Sequence, residues 1–323
     1  MRDLFGRTID YLRVSVTDRC NLRCVYCMPC DFTSIPHEEI LRYEEILRIC
    51  GIMATLGIRN IRLTGGEPLT RRGCVDFIEK LKTLPEIENV TLTTNAVFLE
   101  PHIETLSRIK IGGLNISLDS LNKETFKKIT GSDNSDGVFR ALNSAIAAGI
   151  YVKVNMVPMA GVNDNEIGSF AEMAESFPVF VRFIELMPTA LNARAASFSS
   201  ERILAILRKK YPDLTEDSRR RGLGPARYFK SESFLGGIAL IDAVSNHFCE
   251  KCNRLRLTSD GFLKLCLYHN EGLNLKVMLR GGANNDEIKS AIKHAVLNKP
   301  QRHAFESESA RTSGIQKMSQ IGG

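Results

Sequence analysis

The chain predicts an α/β fold: an incomplete (βα)6 TIM-type barrel, with a C-terminal α+β region covering its open side. Three observations lead there. From residue 11 to about 188, short apolar runs alternate with helical patterns six times, the signature of repeated strand–helix units and a parallel sheet. Nearly every one of these strands ends in polar or conformationally special residues, as strands do at the mouth of a β/α barrel. Six of the nine cysteines form two distant triads, Cys20-x3-Cys24-x2-Cys27 and Cys249-x2-Cys252-x13-Cys266.

The strands are expected over 11–17, 60–64, 90–95, 114–119, 151–158 and 180–187, separated by helical stretches such as 43–56, 75–84, 137–148 and 165–177. Their ends carry Thr17, then Gly65, Gly66 and Glu67, then Thr93, Thr94 and Asn95, then Ser117 and Asp119, then Asn155, and last Glu185 and Met187. Six units cannot close an eight-stranded barrel, so a curved open barrel is preferred to a doubly wound sheet. After Pro188 the pattern changes to an Ala- and Ser-rich loop (189–200), a helix (201–210) and a basic turn at Arg219, Arg220 and Arg221. The second triad follows among short strands, and helices at about 273–280 and 285–297 close the region. Residues 1–188 therefore read as the partial barrel and 189–323 as a smaller region carrying the second triad.

A length of 323 residues with 43% hydrophobic content supports one large core, or a big domain with a smaller addition. A formal charge of +6 falls short of a nucleic-acid-binding tail and suits a small anionic substrate. No run approaches the ~18 apolar residues of a spanning helix, and the opening Met1 to Gly6 is neither a signal nor a transit peptide. The reading is a cytoplasmic protein without membrane or nucleic-acid partners. In that reducing compartment, clustered cysteines are metal ligands more often than disulfides. Cys50 and Cys74 sit in helical patterns and read as small buried apolar residues.

Each triad supplies three thiolates, whereas a four-iron cluster held by protein alone takes four. One iron per cluster is left open, and an open position marks a metal site that does chemistry. Alternatives exist for both triads. Cys30 adds one more x2 step and would close the first as an electron-transfer site, while His247 or His269 would complete a Cys3His zinc site at the second.

A C-x3-C-x2-C run after the first strand, with the aromatic Tyr26 before its last cysteine, resembles the radical S-adenosylmethionine superfamily. Gly65-Gly66-Glu67-Pro68 at the end of the second strand resembles that superfamily's second motif. The segment from Asn246 through Cys249, Cys252, Asn253, Arg254, Leu255, Arg256, Leu257 and Thr258, with Gly261 and Cys266 beyond, closely resembles the GTP 3′,8-cyclases. So do the stretches 12–18, 61–68, 92–95, 115–121, 152–155 and 182–187, and the terminal Gly322 and Gly323. Cys30 and the loop 189–200 depart from the family pattern.

The resemblance implies two 4Fe-4S clusters, one on Cys20, Cys24 and Cys27 and one on Cys249, Cys252 and Cys266, with S-adenosylmethionine as the second cofactor. Tyr26, Gly66, Ser117 and Met187 would line its pocket. Arg13, Arg62, Thr93, Lys153, Arg254, Leu255 and Arg256 would bind GTP, and Arg254, Arg256, Gly322 and Gly323 would act on it in catalysis. The physics agrees in part: a triphosphate calls for guanidinium forks and ammonium groups, and Arg13, Arg62 and Lys153 interrupt buried strand patterns where an unpaired charge is costly. Asn95, Asp119 and Glu185 stay unassigned.

The implied reaction begins with a 5′-deoxyadenosyl radical taking hydrogen from the ribose C3′ of GTP, after which that carbon attacks C8 of guanine. The resulting nitrogen-centred radical takes up one electron and one proton to give (8S)-3′,8-cyclo-7,8-dihydroguanosine 5′-triphosphate, which completes the first step of molybdenum cofactor biosynthesis. Implied partners are GTP, the downstream cyclic pyranopterin monophosphate synthase and a reductant such as flavodoxin or ferredoxin, with room for a homodimer. The rival readings are a radical enzyme that modifies peptides with the help of an auxiliary cluster, and a ferredoxin-like or zinc-binding protein with closed sites.

Overall fold

The computed structural model describes residues 1–28, 32–187, 198–219, 222, 224–246 and 248–303. In chain order the first half runs β1 (Tyr11–Ser15), α1 (Tyr43–Thr55), β2 (Asn60–Thr64), α2 (Cys74–Lys82), β3 (Asn89–Thr94), α3 (Ile103–Arg108), β4 (Leu114–Ser117), α4 (Lys123–Thr130), α5 (Ser135–Ala147), β5 (Val152–Met156), α6 (Ile167–Ser176) and β6 (Phe180–Ile184). The rest comprises α7 (Ser200–Lys210), β7 (Thr215–Asp217), β8 (Arg227–Lys230), β9 (Gly237–Ile241), β10 (Arg254–Leu257), β11 (Phe262–Lys264), β12 (Gly272–Asn274), α8 (Leu275–Arg280) and α9 (Asn285–Leu297). All six expected strands are present. Several stop short of the expected ends, because the polar residues there leave the ladder to build the loops that follow. The sequence pattern did not single out α3 or α4, although Asn122 caps α4 by accepting from Thr125 N at 3.0 Å and Gly131 ends it at φ 72°.

The chain forms two compact units. One comprises Met1–Asn21, Cys27–Thr93 and the described residues from Cys249 on; the other comprises Leu22–Tyr26 and Thr94–Phe248. In the first, β1 lies between β2 and β10 and is parallel to both. β3 continues in parallel beyond β2, while β11 and β12 continue antiparallel beyond β10. In the second, β4, β5, β6 and β9 run parallel in succession, with β8 and β7 antiparallel beyond β9. C-terminal strands thus pair with β1 in one unit and β6 in the other, satisfying backbone groups that an open edge would expose.

A parallel sheet is covered on both faces, and all five residues of β1 are buried. Side chains alternate between the faces. Leu12, Val14, Ile61 and Leu63 are buried as core, while Arg13, Arg62 and Thr91 share the opposite face in register. The helices present apolar stripes at helical spacing, such as Ile46, Ile49, Cys50 and Met53 of α1. Cys50 and Cys74 are buried as the sequence implied, and burial pushes both thiols up to about 12.

Candidate active site

In the first unit, strand pairing lines up cations. Lys264 of β11 pairs with Arg256 of β10, Arg256 with Arg13 of β1, and Arg13 with Arg62 of β2. Partners in register share a face on strands about 4.8 Å apart, so four positive side chains stand side by side. Arg62 Nε donates to Thr91 Oγ1 at 3.3 Å, and its guanidinium lies 5.5 Å from the Tyr11 ring centre. Arg13, Arg256 and Lys264 are all buried. Burial, followed by the like charges of Arg256 and Arg62, drives the Arg13 pKa far down. Burial and then Arg254 bring Arg256 to about 10, against the pull of the Cys252 and Cys266 thiolates. Like charges directly opposite one another destabilise a sheet, and an anion laid across the row relieves that cost. Thr93 lies on the same face one step farther along β3, and its buried hydroxyl has no hydrogen-bond partner among the described residues.

Alternation divides the side chains of the Arg254–Leu255–Arg256 triplet between the two faces. Leu255 opposes Leu12 and is fully buried, so its side chain belongs to the core on the other face. Lys264 is the cation the sequence did not reveal. Only the β10–β11 register brings it into the row.

The second triad lies in the same unit. Cys249 opens a 3-10 turn, Cys252 precedes β10 and Cys266 follows β11. Burial raises the Cys249 thiol, a hydrogen bond from the His303 backbone lowers it, and Cys266 and Cys252 push it up as neighbouring negative charges. Burial would also raise Cys252, but the Lys299 ammonium and the Arg254 guanidinium outweigh that and bring it to about 7. A thiol half ionised near neutrality is prepared to ligate metal. Among the described residues no three His, Cys, Asp or Glu side chains converge closely enough for a single ion; a cubane takes one thiolate per iron and keeps its sulfurs apart. The three thiols and their cationic surround fit such a cluster. His269 turns elsewhere, its Nε2 3.0 Å from the Arg302 carbonyl and its Nδ1 3.6 Å from the Glu271 carboxylate. Arg219 pairs with Asp217 at 2.8 Å. His247, Arg220, Arg221, Cys30, Gly322, Gly323 and most of the 189–200 loop lie outside the described residues.

The loop of the first triad leaves β1 and keeps Cys20, Cys24 and Cys27 partly exposed. Gly66 N donates to Thr17 O at 2.7 Å and Glu67 N to Arg19 O at 2.8 Å, which binds the Gly65–Gly66 backbone to the start of this loop. A Cβ on Gly66 would meet the Arg19 carbonyl oxygen at 2.3 Å, and one on Gly65 the Thr17 oxygen at 2.6 Å. No larger residue fits without moving the loop.

In the second unit, Arg23 N donates to Thr130 O at 2.8 Å and Val25 N to Ile129 O at 3.0 Å, tying the Cys24 stretch to the end of α4. The Tyr26 hydroxyl donates to Asp119 Oδ2 at 2.7 Å, and Val157 N donates to Oδ1 at 2.9 Å. Burial raises Asp119 to about 6 despite those bonds. The three unassigned strand-end residues therefore have structural work: Asp119 holds Tyr26, Asn95 accepts from Val97 N, and Glu185 accepts from Val244 N and Ser245 N. Ser117 lies in register with Asn155, and Asn155 with Arg182, whose guanidinium donates to Asn155 at 2.7 Å and Asn115 at 2.5 Å. Lys153 is buried, donates to the Tyr228 hydroxyl at 3.2 Å and lies 5.0 Å from the Tyr151 ring centre. Met187, beyond the end of β6, is half-buried.

Two family models match the chain: the Radical SAM superfamily over residues 14–174 and Molybdenum Cofactor Synthesis C over 179–305. Among curated relatives named GTP 3′,8-cyclase, that of Clostridium perfringens is 40% identical over 306 residues, covering 94% of this chain and 95% of its own. The Desulforamulus reducens relative is 42% identical over 328 residues, covering 100% of both chains. Streptococcus suis SuiB bound to S-adenosylmethionine superposes with a TM-score of 0.65 at 13% identity, covering 97% of this chain and 78% of its own. That is a likeness of fold, and it agrees with the mixed α/β class and its parallel strands. With full-length identity at this level to curated relatives, the chain belongs to the GTP 3′,8-cyclase family of the radical S-adenosylmethionine superfamily.

Proposed function

We propose that this chain converts GTP to (8S)-3′,8-cyclo-7,8-dihydroguanosine 5′-triphosphate, the first step of molybdenum cofactor biosynthesis. The observation that carries the substrate is the in-register row of Lys264, Arg256 and Arg13, all buried, with the half-buried Arg62, a cationic line suited to a polyanion. Cys20, Cys24 and Cys27 hold the first 4Fe-4S cluster, with Tyr26, Gly66, Ser117 and Met187 around S-adenosylmethionine. When bound, this cofactor pair supplies a 5′-deoxyadenosyl radical; the protein supplies position. Arg13, Arg62, Thr93, Lys153 and the Arg254–Arg256 stretch hold the nucleotide, and the burial that costs the arginines so much strengthens their grip on phosphate. Cys249, Cys252 and Cys266 hold the second cluster beside the base, and Arg254, Arg256, Gly322 and Gly323 act in catalysis, the two glycines lying outside the described residues.

Residues 1–188 form the radical-generating part and 189–323 the substrate part in this reading. The product passes to cyclic pyranopterin monophosphate synthase, and flavodoxin or ferredoxin delivers electrons in the cytoplasm. Among the described residues no helix is long and apolar enough to cross a membrane. Anaerobic reconstitution with iron and sulfide, then incubation with GTP, S-adenosylmethionine and dithionite, tests the reading. Mass analysis should find 5′-deoxyadenosine together with an isomer of GTP that retains its triphosphate. Radical formation with unchanged GTP, and modification of a peptide instead, would move the protein to the rival class.

A further inference from the structure

Lys299 lies just past α9 and is 2% exposed. A lysine so deeply buried needs compensation for its lost hydration. Its Nζ donates to the carbonyl of Arg254 at 3.0 Å and to that of Leu265. Arg254 follows Cys252 by two residues and Leu265 immediately precedes Cys266, so one ammonium ties together the two arms that carry these thiols. Burial disfavours its charge, the Cys252 and Cys266 thiolates favour it, and Arg7 and Arg254 oppose it.

The segment bearing Lys299 is itself anchored. The Arg7 guanidinium donates to the carbonyls of Lys299 at 3.3 Å, Pro300 at 2.7 Å, Gln301 at 2.8 Å and Cys249 at 2.9 Å, and Asp3 holds it at 2.5 Å. The backbones of all three thiols are thereby referred to one short stretch after α9. Hydrogen bonds and net charge around a cluster set its reduction potential, and groups beyond the direct ligands fix ligand geometry.

Resting on the cluster reading of the second triad, we propose that Lys299 is a positioning and tuning residue of that cluster: its ammonium fixes the spacing of the Cys252 and Cys266 arms and raises the cluster's reduction potential by offsetting negative charge. Adding an electron makes the cluster more negative, so a fixed cation nearby favours the reduced form. Removing the charge lowers the potential, and moving it to another cationic side chain preserves it.

The test uses the full chain with Cys20, Cys24 and Cys27 all replaced by Ala, so that only the second cluster reports. In that background Lys299 is compared with Lys299→Arg, Lys299→Met and Lys299→Gln by iron content and by redox titration followed by electron paramagnetic resonance. The two neutral variants should keep about four irons per chain and shift the one-electron equilibrium about tenfold towards the oxidised form, about 59 mV. Lys299→Arg should restore most of the shift. The Gln variant keeps a donor for the two carbonyls and carries the test if the Met variant fails to fold. An unmoved potential in a neutral variant with a normal cluster overturns the role of Lys299 alone. A parent that binds no cluster overturns the cluster reading, and this inference with it.

Discussion

The first triad takes its three thiols from residues 20–27 of one loop, whereas the second gathers them from residues 249–266, across a 3-10 turn, β10 and β11. What steadies each differs accordingly. The loop of the first is fixed by nearby backbone, with Gly65 and Gly66 pressed against Thr17 and Arg19 and the Cys24 stretch bonded to the end of α4. The second depends on strand register and on two buried cations from opposite ends of the chain, Arg7 and Lys299. A site made by local spacing breaks when its own loop is changed. A site made by tertiary pairing breaks from far away.

The largest effect should come from Cys24→Ala, which should abolish S-adenosylmethionine cleavage and leave about half of the ~8 irons expected for two clusters. Full iron together with cleavage would mean that another residue, such as Cys30, replaces it. Cys266→Ala should separate the two halves of the reaction, retaining reductive cleavage to 5′-deoxyadenosine while forming no cyclised nucleotide. Normal product from a variant shown spectroscopically to lack the second cluster would sink the substrate role of that site.

Gly66→Ala tests the local side of the comparison. A contact at 2.3 Å cannot persist, so the loop must shift; cleavage should fall about 10²-fold while the second cluster keeps its iron. Wild-type cleavage would show that the close approach is unimportant. Arg7→Met tests the remote side: it leaves Asp3 buried without its ion-pair partner and should destabilise the apo-protein by about 3–5 kcal/mol in denaturant unfolding. Iron should be lost from the second site before the first. Equal loss from both would erase the distinction.

The smallest effect concerns Asp119. Burial raises it from 3.8 to about 6 in the folded chain, so the folded state retains a proton that the unfolded state releases. Its contribution to stability is complete below that lower value and is lost as pH rises to about 6. In apo-protein melts Asp119→Asn should flatten this decline, and an unchanged Tm profile would place the titration elsewhere.

By itself, the order of residues determined the two triads, the glycine pair, the six strands and the interrupted strand patterns at Arg13, Arg62 and Lys153. Each is a matter of spacing within one loop or one strand, where covalent geometry and a period of two residues fix what faces what. Register was decided by the folded chain. Pairing β10 with β1 and β11 with β10 added Lys264 to the cation row and turned Leu255 into the core. Packing drew Asp119 to Tyr26, and it brought Arg7 and Lys299 to the cysteines from 242 residues before Cys249 and 33 residues after Cys266. Which distant segments meet depends on the competition to bury apolar surface and satisfy backbone groups throughout the molecule, and no local pattern of residues carries that outcome.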